Sequence, residues 1–112
     1  MVSWRVAAAQ YPIDRLRDWD AYSDKLSHWV AESDENGGAL AVFPEYGAME
    51  LASLDPESMG NIAGSIEAVS DLLPQVDALH VELAASHHIH ILAASAPHKD
   101  PDGLVSIAAR LF

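Results

Sequence analysis

The residue best placed to do chemistry in this sequence is Glu45. It follows an unbroken apolar run, Ala39 to Phe43, with one proline, Pro44, between them. Proline fixes its own backbone angle, keeps the preceding residue extended and donates no amide hydrogen. The carboxylate is therefore held at a defined angle, and with apolar walls around it could serve as a proton acceptor. The plain alternative is a glutamate that caps the next segment or meets solvent. His87, His88 and His90, with His80 and His98 nearby, form a second candidate group. Imidazoles are good zinc or nickel ligands, but no recognised ligand spacing is present. His80 and His87 fall seven apart on one helix face, and His88 and His90 straddle a helix-to-strand junction. We read them as histidines near a helix C-terminus, where positive charge is favourable, and expect no metal site.

Other chemistries find no support. The cysteine count is 0, which excludes disulfides and any thiol nucleophile within these residues. There is no glycine-rich phosphate loop and no Gly-x-Ser-x-Gly elbow. The chain has 112 residues, enough for one domain with a real core. Half of it is hydrophobic and 21% is charged, the balance of a soluble globular chain. Net charge is −11, from 6 basic and 17 acidic residues. That argues against nucleic acid and against an anionic membrane surface, both of which need clustered Lys and Arg. No apolar run approaches the roughly 20 residues that span a bilayer, and the opening MVSWRVAAAQ is too short and polar for a secretory signal. A cytoplasmic protein with no cofactor is the expectation.

The elements that must position Glu45 follow from the pattern. Val2 to Ala9 reads as a strand closed by Tyr11-Pro12, and Asp14 to Arg17 as a loop. A helix is predicted from Asp18, which can cap it, with Trp19, Tyr22, Leu26, Trp29 and Val30 at helical spacing. Lys25, Glu32 and Asp34 lie off that stripe, and Gly37-Gly38 ends the helix. Ala39 to Phe43 does not alternate, the mark of a parallel strand covered on both faces, so a right-handed βαβ unit is expected. Gly47 to Leu73 is irregular, with a short helix around Ser65 to Leu72. A further helix is predicted from Pro74, with the proline at its first position, and Val76, Leu79 and Leu83 on one face. Ile89 to Ala94 and Leu104 to Phe112 read as two strands of a hairpin joined by the turn-rich His98 to Gly103. The remaining acids, including Asp14, Asp18, Asp20, Asp24 and Glu32, read as a solvated face, and Trp19 and Trp29 as core.

"VAAAQ", then a helix, then "GGALAVFPEYG" resembles the opening of the nitrilase superfamily, the carbon–nitrogen hydrolases. "HIHILAAS" and "GLVSIAARLF" extend the resemblance more weakly over nearly all of the chain. It implies an α/β fold, the N-terminal part of an α-β-β-α sandwich, with residues 1–112 as the first portion of one hydrolase domain that continues beyond them. It also implies the role of Glu45: general base of a Glu-Lys-Cys triad acting on a small amide or nitrile. In that scheme the cysteine attacks the carbon, the glutamate takes the thiol proton and later activates water, and the lysine stabilises the oxyanion. The lysine and cysteine would lie beyond Phe112, since Lys25 and Lys99 sit in a helix and a polar turn. Where the family often has an asparagine early in the hairpin return, this chain has Ser106-Ile107. Tyr46 is expected to line the substrate pocket, and a homodimer is the family's usual state. The rival expectation is a non-catalytic acidic binding or assembly module that keeps the fold.

Overall fold

The computed structural model describes residues 3–112. The first strand, β1, spans Val6–Ala8, shorter than the sequence suggests; Val2 lies outside the described residues. Helix α1 follows at Trp19–Glu35. Asp18 caps it as expected: its side chain accepts a 2.9 Å bond from the Ala21 amide. That bond, and the neighbouring Arg17, hold the Asp18 carboxyl below its ordinary range. At the other end Gly37 adopts φ of +75°, a conformation open to glycine at little cost.

Strand β2 spans Leu40–Val42, followed by 3-10 segments at Gly47–Leu54 and Pro56–Ser58. Helix α2 then runs through Ile62–His87. This corrects the reading of two helices with Pro74 at the start of the second, because Pro74 sits in the interior of one continuous helix. Its buried residues Val69, Leu73, Val76, His80 and Leu83 keep helical spacing across the proline. Fully burying each large apolar side chain is worth about 1.5–3 kcal/mol. Several of them together outweigh the roughly 3 kcal/mol that an interior proline costs.

Strand β3, His90–Leu92, completes a three-stranded parallel sheet in the order β1-β2-β3. Its register places Ala7 beside Ala41 and Ala41 beside Ile91. Ala41 and Ile91 are wholly buried against the core, where Leu26 and Val30 of α1 meet Val69 and Val76 of α2. The outward neighbours Val6, Ala8, Leu40, Val42 and Leu92 are exposed or half-buried. The helices therefore cover one face of this sheet among the described residues, not both as an unbroken apolar strand suggested.

The expected hairpin between Ile89–Ala94 and Leu104–Phe112 exists in two parts. Near the sheet, Ile91 and Phe112 exchange bonds of 2.9 and 2.8 Å, and the Ala93 amide donates to Arg110. Farther out, β4 (Ala96–Lys99) pairs antiparallel with β5 (Val105–Ala108). The turn between them is set by Asp100, whose Oδ1 accepts from the Asp102 and Leu104 amides at 3.0 and 2.9 Å. The ladder breaks at Ala94-Ser95, for a reason that lies in the site below. No helix among the described residues is long and apolar enough to cross a membrane. The architecture is thus mixed α/β.

Candidate functional site

Glu45 stands past the carboxyl end of β2, the central strand of the sheet. The strands run slightly beyond their formal ends here, with Ala9 donating to Val42 and Phe43 donating to Leu92. A tight turn follows, closed by the Gly47 amide on the Pro44 carbonyl at 3.1 Å. Tyr46 occupies the left-handed region at φ of 58°, a conformation uncommon for a residue with a side chain. Two contacts hold it there. The Tyr46 amide donates to Ser95 Oγ at 2.8 Å, and Gly47 lies so close to Ala94 that a Cβ would stand 2.8 Å from its methyl carbon. Ser95 and Ala94 are thus committed to the turn, which is why the antiparallel ladder is interrupted at that point.

Both Glu45 and Tyr46 are exposed, so the apolar walls expected around the carboxylate are not supplied by the described residues. Among them, no lysine or arginine forms an ion pair with Glu45. Lys25 has a different partner. Its side chain, 13% exposed, reaches Glu50 Oε1 at 2.5 Å, and the Glu50 side chain is wholly buried. The assignment of Lys25 to a position off the helix stripe is corrected accordingly: it points inward.

Three further residues converge on this pair. The Tyr11 hydroxyl donates to Glu50 Oε2, and the Asp14 amide donates to Oε1 at 3.2 Å. Lys25 also donates to the Pro12 carbonyl at 2.5 Å and pairs with Asp14 Oδ2 at 2.8 Å. The ammonium lies 4.0 Å from the centre of the Tyr11 ring, an attractive cation–π placement. Tyr11 is itself packed edge-on against Trp29 and Phe43, with centroids 5.6 and 5.4 Å away. Burial pushes the Tyr11 phenol far above its ordinary pKa, and its bond to Glu50 and that residue's charge push the same way. Burial likewise raises Tyr22, with the charge of Glu50 adding to it. Asp14, assigned from sequence to a solvated face, is indeed exposed, but it also closes this cluster.

The histidines do not assemble. The buried His80 donates from Nδ1 to the Val76 carbonyl oxygen of its own helix at 2.8 Å, and stacks on Phe112 at 5.2 Å. Burial lowers its pKa, and the Val76 contact partly opposes this. His87 pairs with Asp34 at 2.9 Å in the last turn of α2. His88 takes the left-handed cap after it. No group of three or more His, Asp or Glu that could hold a metal ion occurs among the described residues. A groove of about 680 Å³ lies between the helix around Pro74 and the hairpin, lined by Ser70, Asp71, Asp77, Lys99 and Arg110 among others. Its guanidinium is already paired with Asp77 at 2.8 Å, and Glu45 takes no part in it.

Sequence reasoning singled out Glu45 and Tyr46 as candidates and did not anticipate Ser95 or the Tyr11–Lys25–Glu50 cluster. A signal for the cluster existed: Lys25 is three residues from Tyr22 and four from Trp29, and Glu50 interrupts the apolar segment GAMELASL. Comparison with known proteins finds no matching family model, no matching curated protein and no matching solved structure.

Proposed function

We propose that this chain is the N-terminal portion of a nitrilase-type hydrolase that acts on a non-peptide carbon–nitrogen bond of a small amide or nitrile. Glu45 is its general base. The observation that carries the reading is the placement of Glu45, fixed by Pro44, Ser95 and Gly47 beyond the carboxyl end of the central parallel strand. Open α/β sheets bind ligands at that edge. The sandwich of the proposal is supported by the sheet's apolar face, which the helices of this chain leave uncovered. The chain has no cysteine, so the nucleophile and the triad lysine have to come from outside these 112 residues, as does the rest of the pocket around Tyr46. Assembly as a homodimer belongs to the same proposal.

The decisive experiment follows ammonia release from small amides and nitriles by the full protein and by its Glu45→Gln variant. The amide keeps the shape of the carboxylate and removes its ability to accept a proton. Turnover should fall by about 10²–10⁴, the range of general acid–base catalysis, with the melting temperature nearly unchanged. Full retained turnover in the variant would overturn the assignment. A second reading, a non-catalytic acidic binding module, is favoured by the absent cysteine together with the exposed Val6, Val105 and Ile107. It would replace the first if the full protein, carrying no cysteine at all, released no ammonia.

A further inference from the structure

We infer that Tyr11, Lys25 and Glu50 form a positioning device for Glu45, anchoring the turn that carries it to the first helix and to the segment after β1. The inference rests on Glu45 as the working carboxylate. Glu50 itself does not fit a catalytic role, because its oxygens are already occupied. Oε2 accepts from Tyr11, and Oε1 accepts from Lys25 and the Asp14 amide. Lys25 is equally committed: an ammonium has three hydrogens, and it faces three oxygen partners, on Pro12, Asp14 and Glu50. Lys25 keeps no free N–H for a substrate, and the Glu50 side chain is wholly buried with both oxygens engaged.

What the cluster can do is hold chain. Glu50 lies in the 3-10 segment that begins at Gly47, and short backbone bonds link that segment to the turn. Gly47 donates to Pro44, and Met49 donates to Tyr46. A 3-10 segment has poorer hydrogen-bond geometry than an α-helix and holds its shape over few residues. Left alone, it would not maintain a left-handed Tyr46. The turn is fastened at one end by Ser95 and at the other by Glu50, whose partners come from residues 39 and 25 positions away in sequence. Ser53 adds a parallel tie, since its Oγ accepts from the Leu16 amide at 2.8 Å and donates to the Glu50 carbonyl at 2.6 Å.

The test is site-resolved hydrogen exchange on the full protein, comparing it with Glu50→Gln and Tyr11→Phe. The second variant removes one hydroxyl and leaves the ring against Trp29 and Phe43, so it keeps the experiment alive if Glu50→Gln does not fold. The positioning role predicts that the Tyr46 and Met49 amides exchange at least tenfold faster, while core amides such as Val30 and Val69 change much less. Uniform acceleration of all these amides would mean that the cluster supports general stability alone, and would overturn the inference. Unchanged Tyr46 exchange would overturn it too. Because no turnover is measured, this outcome is independent of whether Glu45→Gln abolishes activity.

Discussion

Removing both partners of the Lys25–Glu50 pair should cost clearly less than the sum of removing each one alone. Glu50 is wholly buried and Lys25 nearly so, so Lys25→Met strands a carboxylate inside the protein. Breaking a buried pair in this way costs about 3–5 kcal/mol. The companion contact to Asp14 adds little to that figure, because Asp14 is 52% exposed and such surface pairs are worth about 0–1 kcal/mol. A chain of 112 residues has a total stability of about 6–17 kcal/mol, so the single change removes a large share of it. Glu50→Met should cost a similar amount, since it leaves the Tyr11 hydroxyl and the Asp14 amide without an acceptor at about 1–3 kcal/mol each. In the double variant the stranded charge is gone, and the loss should fall short of the sum of the singles by about 2 kcal/mol or more. Urea denaturation of the four proteins, analysed as a two-state cycle, measures the coupling directly. Additivity to within about 0.5 kcal/mol, the behaviour of independent sites, would refute the claim that the two charges depend on each other.

Two further outcomes follow from single positions. Gly47→Ala would place a methyl 2.8 Å from the Ala94 Cβ and 3.3 Å from Pro44 Cγ; it should cost about 1–3 kcal/mol by overpacking, and an unchanged urea midpoint would disprove the close approach. His80 is held below its ordinary pKa of 6.5 by burial, with Arg110 lowering it further and Val76 and Asp77 opposing. The unfolded chain then binds the proton more readily than the folded one. Stability is complete above pH 6.5 and declines as the pH drops below that value toward the folded pKa, with a slope of at most about 1.4 kcal/mol per unit. His80→Phe should lack that component, so the loss between pH 7.5 and about 5.5 should be smaller in the variant; equal losses would refute the mechanism.

Some of this was legible in the sequence because its causes are local. The Asp18 cap and the Gly37 stop of α1 depend on residues within one helical turn. The unbroken apolar run of β2 and the strand at His90–Leu92 likewise declare themselves from composition alone. Pro74 misled because its local meaning, a helix start, is overridden by a buried stripe on both sides of it. Glu45 was visible as a placed carboxylate, but Ser95, which fixes its turn, lies 49 residues from the amide it holds. No local pattern encodes a partnership at that range. The Glu50 cluster escaped for the same reason, with Tyr11 and Lys25 reaching it from two separate elements.

Ala41 has a consequence for which substitutions the fold can absorb. It is the one inward side chain of β2 and is wholly buried, with Ala7 beside it. The helices therefore rest on the middle of the sheet across little more than a methyl group. One added carbon there has nowhere to go except into the helix layer, and would force helices and sheet apart at about 1–3 kcal/mol. Leu40 and Val42, one residue to either side, face away from the helices and are only half-buried. The central strand thus obeys opposite rules at adjacent positions: variation of size is permitted on its outer side and forbidden on its inner one. Drift in such a sequence would be expected to accumulate at alternate residues, leaving the alanine as a fixed point between two changing neighbours.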